Sequence, residues 1–358
     1  MQKRFSIRIL ALALGAVMFL AACGGGAPAG GGGGGAAAGT GDATEPASGG
    51  GQPVTLRVAN IYAEDAYQSR SMVLFQQLVQ ERSENITVDL FFNAILGNET
   101  ELSESVSAGT VDMVAVGAAM EIFLPNIMAS EMPFLFEGWE HAYAVLNDER
   151  YIEILTRGAA EAGIIPLGFN AIGFRQISTN IPLHSMADFQ GLRLRVPNIP
   201  HYLAMGEALG ANYIAIPIVE LFTALEQGVA DAQENAYNVI IANRLYEVQN
   251  YIVESNHMLT VHMWFINESF FNALTPEDQQ IVIDSFNEAN QYNWDITRAG
   301  LEEEVAYIES QGLTILHPDE AFRNDMRAAM VEVWDWFADI NEDGREILDL
   351  VEQIRLGN

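Results

Sequence analysis

Gly-Leu-Arg-Leu-Arg-Val-Pro-Asn, residues 191–198, alternates leucine and valine with two arginines and then meets a proline. Period-two alternation is the signature of a strand, and it places Arg193 and Arg195 on one face with Leu192, Leu194 and Val196 on the other. Pro197 has no amide hydrogen to extend a ladder, so the strand ends there and Arg195 stands near its C-terminal end. Ligands of open α/β sheets collect at the carboxyl ends of strands. A guanidinium in that position can hold a carboxylate through two parallel hydrogen bonds, which an ammonium cannot do. By itself, an arginine on a strand is more often exposed or ion-paired.

Working outward, similar short β-rich runs occupy 56–60, 86–92, 111–116, 164–169 and 213–216, separated by amphipathic stretches. Strands alternating with helical patterns predict an α/β protein with largely parallel sheets. The body of about 300 residues exceeds what one core usually serves, which predicts two domains. Thr275-Pro276-Glu277-Asp278 predicts a helix start, with Thr275 as cap and Pro276 in the first turn. The helical pattern continues to about Ser310 and is weakened only at Gly300.

The beginning of the chain reads differently. Lys3, Arg4 and Arg8 precede an apolar run at 9–20, and Leu20-Ala21-Ala22-Cys23 follows. Twelve apolar residues fall short of the roughly 20 needed to cross a bilayer, so residues 1–22 read as a secretory signal peptide ending in a lipobox. Cys23 is the only cysteine, which excludes an intrachain disulfide, and it is the expected site of lipidation. Residues 23–53, rich in glycine and alanine, cannot bury a core and read as a tether spanning roughly 30 Å.

The whole chain carries 17 basic and 48 acidic residues. Loss of residues 1–22 would remove three of the basic groups and leave 14 against 48, a net charge of −34 without a single lysine. That composition excludes a phosphate-loop lysine and Schiff-base chemistry, and it opposes binding to nucleic acid or anionic lipid. It fits adaptation to salt or high pH, and equally drift in codon usage. No Gly-x-Ser-x-Gly elbow is present. His257 and His262, five apart, do not share a face as a zinc pair would, and the remaining histidines (141, 184, 201 and 317) lack ligand spacing. Asp339, Asn341, Asp343 and Gly344 match the first positions of a calcium loop, but Leu350 stands where the bidentate glutamate belongs. The segment is expected to be a polar turn between helices, and no metal or cofactor is expected.

Several lines taken together carry a resemblance. They include Leu96-Gly97, the segment 109–112 (Gly-Thr-Val-Asp), 133–136 (Pro-Phe-Leu-Phe), 173–180 (Gly-Phe-Arg-Gln-Ile-Ser-Thr-Asn) and 191–198. Further lines are 220–235, 246–251, Asn256-His257 and Phe265-Ile266-Asn267. In order and spacing they resemble the substrate-binding proteins of TRAP (tripartite ATP-independent periplasmic) transporters, from Val54 to about Asp339.

The resemblance implies two α/β lobes, 54–172 plus 261–300 and 173–260 plus 301–358, closing on a ligand between them. It implies that Arg195 holds a substrate carboxylate, that Arg175 assists and that Asn235 orients the acid, with Asn60, Glu99 and Asn198 also at the pocket. Taken alone, Asn60 could cap a helix and Glu99 could begin one. The implied function is capture of a small organic acid (a C4-dicarboxylate, sugar acid or related carboxylate) outside the cytoplasmic membrane. Delivery would be to the small and large membrane subunits of the transporter. A receptor feeding a sensor kinase shares the same pattern, and an extracytoplasmic enzyme on the same scaffold is the third reading.

Three departures stand out. Ala236 follows Asn235 where a proline is common, Ile218-Val219 replaces residues often polar or aromatic, and Gly117 stands where sialic-acid binders carry a glutamate.

Overall fold

Strand Ile164–Thr179 sets the architecture, because it changes partners midway along its 16 residues. The computed structural model describes residues 53–357. In chain order the first elements are β1 (Val54–Ala59), α1 (Tyr67–Arg82), β2 (Ile86–Phe91), α2 (Glu99–Ala108), β3 (Met113–Val116), α3 (Trp139–Leu146), α4 (Glu149–Leu155) and β4 (Ile164–Thr179). Next come β5 (Arg193–Val196), α5 (Pro200–Ala208), β6 (Asn212–Ala215), α6 (Ile218–Glu226), β7 (Ala232–Ala236), α7 (Tyr237–Ala242), β8 (Tyr251–Val253) and β9 (Leu259–Asn267). The chain finishes with α8 (Glu268–Ala273), α9 (Pro276–Ala299), α10 (Leu301–Ser310), β10 (Thr314–Leu316), α11 (Glu320–Ile340) and α12 (Gly344–Arg355).

The strands are ordered β2-β1-β3-β9-β4-β7-β5-β6, with β8 against β4 and β10 beyond it. From Ile164 to Phe174, β4 pairs with β9; from Arg175 to Thr179 it pairs with β7 and, over its last three residues, with β8. The sheet therefore has two halves joined through one strand. At the changeover Gly173 has φ 138°, and a Cβ there would stand 3.0 Å from the Cβ of Ala236. Glycine is required by both the torsion and the space.

The expectation of largely parallel sheets is corrected. Pairing is parallel within β2-β1-β3 and within β7-β5-β6, but antiparallel along β3-β9-β4-β7. Parallel order follows from strand–helix–strand units, whereas β4 and β9 carry the chain from one half to the other and run against their neighbours. Strand β9 is buried at all nine positions. Its first five residues alternate apolar and polar (Leu259, Val261 and Met263 against Thr260 and His262), but with both faces covered Met263–Ile266 is continuously apolar, so the period-two signal is lost over the second half of the strand.

One core runs through both halves, from Val114, Val116 and Phe169 to Leu194, Val196 and Phe337. A second, around Leu56, Phe75, Trp264 and Phe286, lies between the first half of the sheet and helices α1 and α9. Thr275 caps α9 as expected, accepting from the Asp278 amide at 3.1 Å. The helix breaks at Gly300, where a Cβ would fall 2.1 Å from the Tyr67 hydroxyl. Along α9, Trp294 Nε1 donates to the Phe169 carbonyl (2.8 Å) and Asn293 Oδ1 accepts from the Ala171 amide (2.7 Å). These bonds hold β4 where its register with β9 shifts. Helix α11 packs on α5, while α12 packs on α3 and α4.

Residues 341–343 form the turn between α11 and α12, with Asp339 in the last turn of α11 and Gly344 opening α12. Asp343 accepts from Asn126 Nδ2 (2.8 Å) and pairs with Arg157, and Asp339 lies 3.4 Å from Arg345. Among the described residues no group of three or more His, Cys, Asp or Glu side chains is placed to hold a metal ion. Cys23, the leader and the tether up to residue 52 lie outside the described residues.

Candidate functional site

Strand β5 delivers Arg195 into a cavity of about 170 Å³ between the two halves of the sheet. That is roughly ten times the space one water needs. Arg195 is 2% exposed, and its Nε donates to the Ile216 carbonyl at 2.8 Å. Among the described residues its two terminal nitrogens have no partner. Burial lowers its pKa to about 10, which Glu234 partly offsets and Arg175 reinforces. The group is still charged at neutral pH. A buried cation without a counter-ion is costly, so the site favours an anion. Arg193, two residues earlier, reaches the surface and pairs with Asp231.

Arg175, at the first position of β4 beyond the changeover, enters the same cavity in a different electrical state. Its Nε and Nη2 grip the Glu234 carboxylate, and Nη1 donates to Thr260 Oγ1 at 2.7 Å. The guanidinium stacks 5.0 Å from the Tyr202 ring centroid. Burial opposes ionisation of Glu234, but Arg175 and His257 outweigh it and keep its pKa below the ordinary carboxylate value. Arg175 is thus neutralised from within, with one Nη1 hydrogen left over.

Strand register explains how both arginines arrive. Arg195 on β5 is paired with Gln233 of β7, which shares its face with Asn235, whereas Arg175 on β4 is paired with Ala236 and lies with Glu234 on the opposite face of the sheet. Asn235 lines the cavity and donates to Gln233 Oε1 at 2.6 Å. Asn198, just past Pro197, is exposed at the cavity edge.

Glu99 begins α2 after Asn98, which caps the helix, and also lines the cavity. Its Oε1 stands 2.8 Å from His262 Nε2. Burial opposes its ionisation too, but His262 and the Gly117 amide hold its pKa down. Asn60 is placed otherwise: its Oδ1 accepts from the Tyr62 amide (3.0 Å) and its Nδ2 donates to Ser69 Oγ (3.0 Å), so it faces α1. The neighbouring Ile61 and Tyr62 form that part of the wall.

Two groups that sequence reasoning leaves out complete this wall. His262, on β9, faces Glu99 inside the cavity. Glu131 accepts from the Tyr202 hydroxyl (3.0 Å) and the Val261 amide (3.1 Å), and burial raises its pKa to about 7, against the pull of His262. The available signal was that Glu131 is the only charged residue in the stretch 122–136. At Gly117 a Cβ would lie 2.9 Å from His262 Cδ2 and 3.1 Å from Glu131 Oε1. These two side chains occupy the space that a side chain at Gly117 would need.

Comparison with known proteins identifies the family of this fold. A family model described as bacterial extracellular solute-binding protein, family 7 (DctP), covers residues 58–340. The 2,3-diketo-L-gulonate-binding periplasmic protein of Escherichia coli is 28% identical over 285 residues, which is 78% of this chain and 86% of that one. A TRAP periplasmic solute-binding protein of Haemophilus influenzae, solved with bound L-gulonate, superposes with a TM-score of 0.80 at 28% identity over 84% of this chain and 99% of that one. One from Roseobacter denitrificans, solved with bound L-galactonate, gives 0.77 at 29% identity, with coverages of 84% and 99%. The chain belongs to the DctP family, the extracellular solute-binding proteins of TRAP transporters.

Proposed function

We propose that the cavity binds the carboxylate of a sugar acid or related small organic acid, with Arg195 as its clamp. The observation that carries this reading is the buried Arg195 guanidinium, whose terminal nitrogens have no partner among the described residues, in a cavity large enough for such a molecule. Arg175 contributes its spare hydrogen, and Asn235 and Asn198 supply polar contacts around the bound acid. The opposite wall favours hydroxyl groups over a second carboxylate. Glu99 is held ionised there and Glu131 stands beside it, so a dicarboxylate would set like charges together, whereas ligand hydroxyls can donate to them. The relatives solved with L-gulonate and L-galactonate are consistent with a polyhydroxy acid.

In this reading, 54–172 plus 261–300 and 173–260 plus 301–358 act as lobes that close on the acid, and the transporter's small and large membrane subunits recognise the closed form. Lipidation at Cys23 would keep the protein at the outer face of the membrane while the tether lets it reach those subunits. Neighbouring genes distinguish delivery from sensing: paired membrane subunits support transport, and a kinase in their place supports a receptor.

The test is a thermal-shift screen of residues 54–358, unfolded and refolded to strip carried-over ligand, against organic acids at fixed salt. Ligand at a thousand times its Kd adds about 4 kcal/mol, which raises Tm by several degrees. A response to carboxylates that disappears in Arg195→Ala supports the clamp. Affinity retained within a few-fold in that variant rejects it.

A further inference from the structure

Behind Asn235 a row of buried polar side chains runs through the second half of the sheet to the turn at Val248. The Gln249 Nε2 faces two backbone carbonyls, those of Val248 (3.1 Å) and Asp231 (3.4 Å), so that end of the amide must be the donor. Its Oε1 then accepts, and the Ser178 hydroxyl donates to it at 3.1 Å. Having used its only hydrogen, Ser178 Oγ accepts from Gln233 Nε2 at 2.7 Å. Gln233 is left with Oε1 to offer Asn235, whose Nδ2 donates to it at 2.6 Å. Each link dictates the next. Ser178 and Gln233 are fully enclosed, and Asn235 and Gln249 are each 4% exposed, so bulk water does not scramble the order. At the cavity end, Asn235 Oδ1 is left without a partner among the described residues.

The placement of this acceptor is specific. Arg195 pairs in register with Gln233, and Asn235 lies two residues further along the same face, a step of about 7 Å toward the cavity. Both side chains line the one cavity, so a carboxylate held by Arg195 would have its adjacent carbon within reach of Asn235. Relatives leave the oxidation state of that carbon open, since their names include a 2-hydroxy acid, L-gulonate, and a 2-oxo acid, 2,3-diketo-L-gulonate.

We propose that the Gln249–Ser178–Gln233 relay pins Asn235 as an acceptor toward the ligand and so selects 2-hydroxy acids over their 2-oxo counterparts. This deepens the acid-binding reading and rests on it. A ligand hydroxyl donates to Oδ1, whereas a ketone at the same position sets one acceptor against another and leaves both unpaired in a buried site. An amide free to turn over would accept either acid. Ser178, Gln233 and Gln249 are positioning residues that act through Asn235.

The experiment is calorimetric titration of the ligand-stripped protein with L-galactonate, its 2-oxo counterpart and its 2-deoxy counterpart. The native protein is expected to prefer the 2-hydroxy acid to the 2-oxo acid by about tenfold or more. Ser178→Ala frees the Gln233 amide and should bring that ratio within about threefold, while Ser178→Thr, which keeps the hydroxyl, should preserve it. A purely structural role for Ser178 would weaken all three acids together and leave the ratio unchanged, which overturns the relay. A ratio near one in the native protein also overturns it, whether or not Ser178→Ala folds. Binding without discrimination defeats only the relay. Failure to bind any of the three defeats the acid-site reading, and the relay with it.

Discussion

The two walls of the cavity handle charge in opposite ways. On the wall from α2, β9 and the segment before Met132, each carboxylate already has a partner: Glu99 meets His262 and the Gly117 amide, and Glu131 meets Tyr202 and Val261. On the wall from β4, β5 and β7, Arg175 is closed on Glu234, while among the described residues Arg195 is closed on nothing but one backbone carbonyl. Two residues of the same type, in the same cavity and equally buried, therefore do different work. One ion pair is complete within the fold. The other needs a ligand to complete it.

The sharpest way to break that comparison is to remove Glu234. Glu234→Ala strands the buried Arg175 charge and is expected to cost about 3–5 kcal/mol of stability, read as a fall in Tm of roughly 10 °C. A variant that melts within a degree or two of the native protein would mean that Arg175 was never dependent on its partner. Removal of Arg195 should do the reverse. Arg195→Ala takes away a cation that has no counter-ion among the described residues, so the apo protein should melt at or above the native temperature. Affinity for the acid should fall by about 2–5 kcal/mol, or roughly 30- to several-thousand-fold. Loss of folding in Arg195→Ala would erase the contrast.

The smallest expected effect concerns the opposite wall and sets its pH dependence. A carboxyl whose pKa is raised by folding binds its proton more tightly in the native state, so its contribution to stability is present at low pH and lost as pH rises. For Glu131 the window runs from the unfolded value of about 4.3 to its native value of about 7. Glu304, buried beside Tyr67 and also raised to about 7, acts in the same direction. His201, pushed down to about 3 by burial, acts in the opposite one. The informative quantity is therefore a difference. The Tm of Glu131→Gln minus that of the native protein should increase between about pH 5 and 8, where the native side chain gains a buried charge and glutamine does not. A flat difference would mean that Glu131 does not titrate in this range.

The elements legible in the sequence are those whose signal is local. The strand at Arg195 showed in its alternation and proline stop, and the start of α9 in Thr275 and Pro276. Gly300 was legible only as a weak point in a pattern running to Ser310, whereas the structure ends α9 there, with the Tyr67 hydroxyl in the space a side chain would need. Strand β4 was read only to Phe169, because its second part owes its conformation to β7 and β8, which are far along the chain. At the cavity, Arg175, Arg195 and Asn235 came from the resemblance. Glu131 went unread and His262 was weighed only as half of a zinc pair, because a carboxylate in an apolar stretch and a histidine on a buried strand are unremarkable until the fold sets them face to face.

Sequence by itself determined the α/β class, the family, the lysine-free acidic composition and the identity of the arginines at the cavity, since each depends on residue type, order or short-range periodicity. Only the tertiary structure decided which arginine is free. Charge is a property of a side chain, but its compensation depends on what lies within a few ångströms, and Glu234 is 59 residues from Arg175 while among the described residues no carboxylate closes on Arg195.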